Sequence, residues 1–282
     1  MTIKDADNTT TKVTPFQSLD KETRQVTINV IIPALNEEKS LPHTLTNLST
    51  QSQLLKELAG VTLMWRDVVV VDNGSEDKTA QIARDYGARV VKEPKRGYGR
   101  ACLSGIQALS VSPPDLLLFV DADGSDDLGD LDLLLGALLG SITTEQTKIR
   151  HVIGDHGPAE LVIGSRVQYS VPGALTPLQR FGNALSCALI KLAFGAKFTD
   201  LGPLRAIHWS ALERLHMRDQ DFGWTVEMQA KAAARGIASA EVDVCYLPRY
   251  AGESKISGTL IGSYRAGVKI LVTIARIWWS KK

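Results

Sequence analysis

The sequence has little of what marks several classes of protein. Its 282 residues include only three cysteines, far apart and without a C-x-x-C pair, so neither a zinc site nor a disulfide framework is predicted. Such cysteine usage indicates a reducing, cytoplasmic compartment. No run of about 18 apolar residues occurs, which excludes a conventional membrane-spanning helix. The 32 Lys and Arg residues nearly balance the 31 Asp and Glu residues, and a net charge of +1 argues against a dedicated nucleic-acid-binding protein.

What is present is the composition of a packed globular protein. Hydrophobic residues make up 44% of the chain and charged residues 22%, which excludes disorder over the whole length. The polar, Thr-rich residues 1–25 carry no apolar segment and are predicted to form a flexible tail rather than a secretory signal.

From Val26 onwards, short apolar runs alternate with helical patterns, which is typical of a mostly parallel central sheet flanked by helices. The predicted strands are Val26–Ile32, Val68–Val71, Arg89–Val91, Leu116–Val120, Leu161–Arg166 and Glu241–Val244. Predicted helices begin near Glu37 and Ser75 and continue with Leu178–Phe194, Val226–Arg235 and Gly258–Trp279. Residues 149–160 are predicted to be a surface insertion. We therefore expect an α/β domain over residues 26–257, followed by a basic amphipathic helix over residues 258–282.

Three polar clusters follow predicted strands at the points where those strands end. They are Asn36–Glu37, Asp72–Asn73 and Asp121–Asp127. Asp, Asn and Gly are also ordinary turn residues, so one cluster alone would indicate only a solvated turn. Because the carboxyl ends of parallel strands meet at one edge of a sheet, clusters in consecutive units predict one shared cleft.

The strongest cluster contains Asp121 and Asp123, directly after an apolar strand. Two carboxylates one residue apart can hold a hard divalent cation, which keeps water and diphosphate oxygens as its other ligands. The sequence therefore predicts a metal and diphosphate site here, whereas Asp126 and Asp127 are expected to be turn or cap residues.

A basic loop, Lys95–Arg100, adds a candidate phosphate contact. Gly97 and Gly99 permit close backbone approach, and the following helix offers its N-terminus. The spacing is not G-x-G-x-x-G, so a Rossmann dinucleotide site is a poor match, and the chain lacks the G-x-x-x-x-G-K-[ST] of a P-loop. Taken alone, the loop fits a structural turn equally well.

Taken in order, the motifs resemble those of the family 2 glycosyltransferases, which have the GT-A fold. The resemblance covers nearly all of the chain from Val26 onwards and rests on Ile32–Glu38, Val71–Thr79, Asp121–Asp123 and Ile163–Arg166. Three later segments are similar to the branch that contains the dolichyl (polyprenyl) phosphate sugar transferases: Thr199–Ala206, Trp224–Met228 and Arg249–Ser257.

The resemblance implies roles for individual residues. Asp121 and Asp123 match the D-x-D motif that binds Mg²⁺ or Mn²⁺ and the donor diphosphate, and Arg166 matches a basic residue near the acceptor phosphate. The implied nucleotide-sugar contacts are Pro33, Asn36, Glu37, Asp72, Lys95 and Arg96, and further acceptor-phosphate candidates are Arg180, Arg249 and Lys255. Two positions depart from the family pattern: Ser125 stands where Gln is common, and Asn73 stands where a second Asp is common.

The implied reaction is an inverting displacement at the anomeric carbon of a UDP-glucose or GDP-mannose type of donor, with the metal neutralising charge on the leaving diphosphate. Asp123, Arg166 and Glu227 are the catalytic candidates. A lipid phosphate acceptor is already anionic and needs no strong base, whereas a hydroxyl acceptor requires a carboxylate such as Glu227 or Asp200. Glu227 lies on a predicted helix, where an exposed side chain without a catalytic role is the alternative.

Three functions therefore stay open. The first is transfer of a sugar from a nucleotide to a polyprenyl phosphate-like lipid. The second keeps the donor chemistry and uses a saccharide, a lipid alcohol or a small molecule as acceptor. The third is a non-catalytic protein that binds nucleotide sugars.

The C-terminal segment bears on the acceptor. Between Arg249 and Lys282 there are seven Lys or Arg residues and one acid, so near-neutrality is an average over an acidic body and a basic tail. Apolar residues recur at helical spacing, and Trp278-Trp279 precedes Lys281-Lys282, which suits a membrane headgroup interface. The alternative is an amphipathic helix docked on the protein's own core. We expect peripheral contact with the cytoplasmic face of a membrane.

Overall fold

The computed structural model describes residues 24–141, 149–154, 158–252 and 260–280. Most of the predicted tail, the candidate Lys255 and the pair Lys281-Lys282 lie outside the described residues. The strands in the described part are β1 (Gln25–Ala34), β2 (Glu57–Leu58), β3 (Val61–Asp72), β4 (Arg89–Lys92), β5 (Leu116–Phe119), β6 (Ile149–Ile153), β7 (Leu161–Ser170), β8 (Arg205–His208) and β9 (Ser239–Tyr246). The helices are α1 (Leu41–Leu54), α2 (Thr79–Asp85), α3 (Tyr98–Leu109), α4 (Leu131–Leu139, after a 3₁₀ turn at Leu128–Asp130), α5 (Pro177–Phe194), α6 (Trp209–Leu215), α7 (Trp224–Arg235) and α8 (Leu260–Ser280).

These strands form one sheet in the order β2-β3-β1-β5-β8-β7-β9-β6, with β4 also paired to β3. β1 is parallel to β3 and β5, β3 is parallel to β4, and β7 is parallel to β9. β8 is antiparallel to both of its neighbours, β5 and β7, so the sheet is mixed. The expected α/β class with a central sheet flanked by helices is confirmed. β8 was not predicted, because it begins with the charged residue Arg205 and shows no apolar run.

The central strands are buried on both faces, as their continuous apolar runs predict. In β1, Ile28 and Ile32 pack in the core cluster that includes α1 and α4, whereas Ile31 packs in the cluster that includes α3, α5 and α7. In β5, Leu118 and Phe119 divide in the same way between the two clusters. With both faces covered by helices, the ends of the strands remain as the place where polar groups can meet a ligand.

Two helix starts differ from the prediction. α1 begins at Leu41, after a turn in which Asn36 has a φ of 52°, and α2 begins at Thr79 rather than at Ser75. The polar residues before these helices bond one another across two loops instead of capping a helix, as the Asn36 N–H does to Ser75 Oγ at 3.0 Å. Local helix signals do not reveal such contacts, because the two loops are far apart in the sequence.

The predicted surface insertion at residues 149–160 is wrong in its first part. Ile149–Ile153 is β6, which pairs with β9 at the edge of the sheet. Its charged residue Arg150 donates to Asp243 on β9 at 2.7 Å, so charge in this segment supports strand pairing. An edge strand with mostly half-buried side chains has no apolar run to identify it.

The long helices predicted in the second half are confirmed as α5 and α7. α8 packs against both of them and buries Thr273, Ile274 and Ile277. Its other face is exposed and includes Val272 and Trp279. Docking on the protein's own core therefore accounts for one face of α8 only. In the described part of the chain, no helix is both long enough and apolar enough to span a bilayer.

Candidate active site

A cavity of about 930 Å³ opens at the carboxyl ends of the central strands. β1 leads into Pro33–Glu37, β3 leads into Asn73, and β5 leads into Asp121–Asp123, all of which line the cavity. β9 is followed by Arg249, which also lines the cavity. The structure thus brings the three polar clusters of the sequence to one cleft.

Eight of the predicted site residues line this cavity: Pro33, Asn36, Glu37, Arg96, Asp121, Asp123, Arg166 and Arg249. Four described candidates lie outside its lining: Asp72, Lys95, Arg180 and Glu227. Asp72 and Lys95 adjoin residues that do line it. Arg180 is exposed on α5 and donates to Ser170 Oγ at 3.3 Å.

Asp121 lies in surroundings that disfavour its charge. Burial and the neighbouring Asp123 carboxylate raise the pKa of Asp121 to about 7. The Tyr98 hydroxyl donates to Asp121 Oδ1 at 3.1 Å, and the Asp121 N–H donates to Asp126 Oδ2 at 3.1 Å. Burial also raises the pKa of Asp126, whose Oδ1 has no hydrogen-bond partner among the described residues. The protein therefore compensates the carboxylate charge here incompletely, and Asp126 is not the simple turn residue that was predicted.

Asp123 is fixed on both of its oxygens. The Ser125 N–H donates to Oδ1 at 3.0 Å, and the Ser125 hydroxyl bonds the same oxygen. The Arg249 guanidinium donates to Asp123 Oδ2 at 2.7 Å and to Glu37 Oε1 at 2.6 Å, so it joins the ends of β9 and β1. Ser125, which departs from the family pattern, orients the Asp123 carboxylate.

Asp121 and Asp123 suit a divalent cation that takes its remaining ligands from water and phosphate oxygens. In the described part of the chain, no three His, Cys, Asp or Glu side chains are arranged to hold a metal ion by themselves. Carboxylate oxygens are hard ligands that suit Mg²⁺ or Mn²⁺, and these ions commonly keep water and phosphate oxygens as further ligands. Burial and the neighbouring Asp123 carboxylate raise the pKa of Asp121 to about 7, and a bound cation would favour its charged form.

Asn73 shapes the cavity where Asp72 was expected to contact the nucleotide. Its side-chain amide donates to the Glu93 and Lys95 carbonyl oxygens at 3.1 and 2.8 Å, and its Oδ1 accepts from the Gly97 N–H at 2.8 Å. An ionised Asp cannot donate the first two bonds, which accounts for the departure from the family pattern. Asp72 is buried and accepts from a backbone N–H of the following turn at 2.9 Å, so it braces that turn.

The glycines of the basic loop allow it to lie against a second loop, residues 218–223. A Cβ at Gly97 would lie 2.3 Å from the Gln220 carbonyl oxygen, and a Cβ at Gly99 would lie 2.2 Å from that of Asp219. The Arg100 N–H donates to Gln220 O at 3.0 Å. Close approach of two backbones therefore requires glycine at both positions. This packing agrees with the structural interpretation of the loop, although Gly97 also lines the cavity.

Glu227 supports the second loop and does not reach the cavity. Its side chain is fully buried, and Oε2 accepts from the Arg218 and Asp219 N–H groups at 2.9 and 2.6 Å. Lys231 Nζ lies 2.7 Å from Oε1. The buried side chain contradicts the exposed alternative, and Glu227 lies outside the cavity lining, where its contacts are structural. A buried carboxylate that accepts two backbone N–H groups is an anchor.

Arg166 lines the cavity with its guanidinium in a two-pronged ion pair. Nε donates to Asp200 Oδ2 at 2.7 Å and Nη2 donates to Asp200 Oδ1 at 2.8 Å, while the Tyr246 ring centre lies 5.0 Å from the guanidinium carbon. Burial opposes charge on both partners, but their attraction lowers the pKa of Asp200 and raises that of Arg166. Asp200 is therefore ionised, but both of its oxygens accept from Arg166 and its lowered pKa makes it a weak base, which disfavours a role as general base.

Arg205 on β8 is a structural cation that the sequence did not reveal. It is fully buried, and its guanidinium donates to the Leu201, Gly202 and Thr225 carbonyl oxygens at 3.1, 2.9 and 3.0 Å. It also donates to Gln229 Oε1 at 3.0 Å. Burial lowers the pKa of Arg205 to about 10. These bonds join α7 to the segment after Asp200, where Leu201 and Pro203 line the cavity.

Sequence reasoning also missed the apolar wall of the cavity and the tyrosine that contacts Asp121. The wall consists of Leu175, Leu178, Phe181, Leu185, Phe222 and Ile270. Three of these residues recur at helical spacing in α5, and that spacing was the available signal. No sequence signal marked Tyr98, because its contact with Asp121 depends on how the start of α3 packs against the end of β5.

Comparison with known proteins identifies the family. The sequence pattern of Glycosyl transferase family 2 matches residues 29–194. An uncharacterized glycosyltransferase of Mycobacterium tuberculosis is 35% identical over 84% of this chain and 92% of its own length. The undecaprenyl-phosphate mannosyltransferase of Micrococcus luteus is 30% identical over 82% of this chain and 88% of its own length.

The solved structure of glucosyl-3-phosphoglycerate synthase from Mycobacterium tuberculosis, in complex with Mn²⁺, UDP and glucosyl-3-phosphoglycerate, has the same fold. It superposes with a TM-score of 0.61 over 89% of this chain and 80% of its own, at 21% identity. The strand-end cleft, the family match and these relatives agree with one another, and the chain belongs to the family 2 glycosyltransferases, as a nucleotide-sugar glycosyltransferase with the GT-A fold.

Proposed function

We propose that the protein transfers a sugar, with inversion and with the help of Mg²⁺ or Mn²⁺, from a nucleotide-diphosphate sugar to a polyprenyl phosphate-like lipid. One observation carries the proposal: the cavity has two unlike halves. The donor half consists of Pro33, Asn36, Glu37, Asn73, Arg96, Asp121 and Asp123. The acceptor half is the apolar wall of Leu175, Leu178, Phe181, Leu185, Phe222 and Ile270, and Arg166 also lines the cavity. Polar side chains of Thr176, Gln179 and Asn183 line the cavity along the same segment.

In the donor half, Asp121 and Asp123 would hold the cation that neutralises charge on the leaving nucleoside diphosphate. Tyr98 and Ser125 orient these two carboxylates through the hydrogen bonds described above. Arg96 lines the same half and is exposed at the mouth, where it pairs with Glu76 at 2.8 Å. The remaining nucleotide contacts proposed from the sequence are Pro33, Asn36, Glu37, Asp72 and Lys95.

In the acceptor half, the reaction needs a nucleophile that carries its own charge. A phosphate oxygen of the acceptor attacks the anomeric carbon, a C–O bond forms, and the bond from that carbon to the diphosphate oxygen breaks. No proton must be removed, and the buried carboxylates that were candidates for a base, Glu227 and Asp200, are both engaged in other contacts. Their engagement supports an acceptor that needs no base.

Cations near the boundary between the halves would position the acceptor phosphate. Arg166 is the leading candidate, because it lines the cavity and its orientation is fixed by Asp200. Arg249 lines the cavity beside Asp123, while Arg180 lies on the exposed face of α5. Lys255 stays a candidate outside the described residues. We further propose peripheral membrane contact through α8, whose Trp278 and Trp279 are exposed.

A small phosphorylated molecule is the second candidate acceptor. It is favoured by the fold shared with glucosyl-3-phosphoglycerate synthase, at 21% identity. The polyprenyl phosphate is favoured by the apolar wall and by the mannosyltransferase of Micrococcus luteus at 30% identity. A small polar acceptor would leave Phe181 and Leu185 without an apolar partner in the complex.

The two acceptors can be separated in one assay. The full chain is incubated with Mn²⁺, a panel of labelled UDP and GDP sugars, and either undecaprenyl phosphate in detergent or 3-phosphoglycerate. We expect label in the organic extract only with the lipid phosphate, and its loss when EDTA removes the metal. Label that stays in the aqueous phase with 3-phosphoglycerate, and none in lipid, would overturn the proposal. Failure of both acceptors with every donor would favour the non-catalytic alternative.

A further inference from the structure

We propose that α5 and α8 together form a docking face for an anionic bilayer and that the cavity opens within this face. A lipid acceptor would then reach Arg166 directly from the membrane. The inference rests on the lipid acceptor of the proposed function and adds α5, which the sequence indicated only as a helix that carries the candidate Arg180. The docking face consists of Leu178, Phe181, Leu185 and Leu192 of α5 with Val268, Leu271, Val272 and Trp279 of α8.

α5 carries an apolar face that the protein leaves in solvent. Phe181 is 65% exposed and Leu192 is 84% exposed, while Cys187 and Ile190 on the other side of the helix are buried. The helix has its own capping box at Thr176 and a left-handed glycine at its end, so its bounds are fixed locally. The stability of α5 as a helix therefore does not require apolar side chains on its outer face.

α8, which packs beside α5, also has one buried apolar face and one exposed apolar face. Ile274 and Ile277 are buried against the protein, whereas Val272 is 57% exposed and Trp279 is 69% exposed. The two helices contact each other. Soluble monomers rarely expose a contiguous apolar surface of this kind, and such surfaces mark interaction sites. Elsewhere, Leu54 and Val111 are isolated, and a smaller group of exposed apolar residues, Val167, Tyr169 and Val171, lies at the end of β7.

The docking face is continuous with the cavity. Leu178, Phe181 and Leu185 are exposed and also line the cavity, so the acceptor half reaches the surface along α5. Gly267 and Ile270 of α8 also line it. A chain of hydrocarbon lying in the acceptor half can therefore extend out between the two helices without leaving apolar surroundings.

The charge of the two helices distinguishes a bilayer from a second copy of the protein. Neither α5 nor α8 contains an acidic residue, and together they contain five cations: Arg180, Lys191, Arg265, Lys269 and Arg276. A symmetric dimer through this face would place like charges against each other. Lys269 is paired with the buried Asp219 at 3.3 Å. Anionic headgroups complement the other cations, while the apolar side chains and the terminal tryptophan suit the zone below the headgroups.

Co-sedimentation of the full chain with vesicles tests the docking face. Leu192→Glu on α5 and Val272→Glu on α8 add one charge each at exposed positions outside the cavity lining. Val111→Glu is the matched control, since Val111 is 93% exposed on the loop after α3. With phosphatidylcholine–phosphatidylglycerol vesicles we expect each helix variant to bind about tenfold more weakly than wild type, and the control to bind as wild type.

Three outcomes would overturn the inference: no binding by the wild type, wild-type binding by Leu192→Glu, or equal loss in the Val111→Glu control. A concentration-dependent dimer that Leu192→Glu dissociates would instead assign the face to a second copy. Leu192→Ser replaces Leu192→Glu if thermal unfolding shows that the charged variant is not folded. Transfer to undecaprenyl phosphate in detergent micelles, measured in parallel, keeps the two proposals apart: it should be equal in Leu192→Glu and wild type, and its absence in both would count against the proposed function alone.

Discussion

The donor half and the acceptor half of the cavity are built in different ways. In the donor half, side chains at strand ends are fixed by several directed bonds each, as Asn73 is by three backbone groups and Asp123 by Ser125 and Arg249. In the acceptor half, the wall consists of side chains of α5 and α8 and of the loop residues Leu175 and Phe222, and its apolar contacts have no direction. The donor half therefore selects its ligand by geometry and charge, whereas the acceptor half selects by the apolar area that a ligand can bury.

The two halves should therefore tolerate different changes. Directed bonds depend on position, so a single atom changed in the donor half leaves a buried polar group unsatisfied. Apolar contacts are individually small and adjust to one another, so the acceptor half should lose affinity gradually as area is removed. Each prediction below tests whether damage stays within the half where it is made.

The largest effect is expected for Asp123→Ala in the donor half. Loss of this carboxylate removes a proposed metal ligand and the partner of Arg249, and transfer should fall about a thousandfold. Asp127→Ala is the control, because Asp127 caps the 3₁₀ turn through the Gly129 N–H at 2.9 Å and lies outside the cavity lining. Initial rates at saturating Mn²⁺ measure both variants. Equal rates for Asp123→Ala and wild type would remove the metal assignment.

The support of the donor half is tested at Glu227. Glu227→Ala leaves the Arg218 and Asp219 N–H groups and Lys231 without their carboxylate, and we expect a loss of about 3–5 kcal/mol in the free energy of unfolding. Glu227→Gln keeps one carbonyl oxygen and should lose less than tenfold in turnover, since the side chain has no contact with substrate. Urea unfolding and initial rates measure the two variants. A thousandfold loss of turnover in a folded Glu227→Gln would restore the role of general base.

Metal affinity should depend on pH through Asp121. Because burial and Asp123 raise its pKa to about 7, the carboxyl is protonated below that pH and must lose a proton to bind a cation. Affinity for Mn²⁺ should therefore fall about tenfold per pH unit below pH 7 and level off above about pH 8. Calorimetric titration of the full chain with Mn²⁺ measures this. A constant affinity between pH 6 and pH 8 would contradict it.

The same raised pKa has a consequence for stability. A carboxyl with a raised pKa in the folded state contributes stability below its unfolded pKa, and that contribution is lost as the pH rises through about 7. Without metal, Asp121→Asn should therefore unfold at a higher temperature than wild type at pH 8. A higher unfolding temperature would show that the Asp121 carboxylate, a proposed metal ligand, lowers the stability of the metal-free protein.

Asn73→Asp tests the departure from the family pattern. The new carboxylate could not donate to the Glu93 and Lys95 carbonyl oxygens, and it would repel them. We expect KM for the donor to rise about tenfold with kcat for the lipid nearly unchanged. Asn73→Ser, which keeps a small neutral side chain, separates loss of bonds from repulsion. An unchanged donor KM in Asn73→Asp would show that the 93–97 loop is held by other contacts.

The sequence predicted the donor half better than the acceptor half, for a physical reason. Asp121, Asp123 and Asn36 stand in short segments directly after apolar strands, so their neighbours in the chain reveal where they lie. Tyr98 and Arg205 depend on contacts between elements far apart in the chain, and no local pattern marks them. β6 and β8 were not predicted for the same reason, because their pairing with neighbouring strands, rather than an apolar run, identifies them as strands.

Glu227 shows the limit of motif reasoning within a single residue. Its segment was assigned to the correct helix, yet an acidic residue on a helix can point to solvent, to a substrate or into a core. The structure places it against the Arg218 and Asp219 N–H groups, a contact that depends on the packing of a loop eight residues earlier. Local sequence determines the helix, whereas tertiary packing determines the role of the side chain.

The smallest effect is expected at Phe181 in the acceptor half. Phe181→Ala removes one side of the apolar wall, and because the side chain is already 65% exposed, the loss of affinity for undecaprenyl phosphate should be only about fivefold. Binding of UDP or GDP with Mn²⁺, followed by calorimetry, should be unchanged. Met64→Ala, at an apolar residue 42% exposed on β3, is the control for a general loss of apolar surface. If Phe181→Ala weakened nucleotide binding as much as lipid binding, the two halves would be one coupled site, and directed and apolar contacts would have to be treated together.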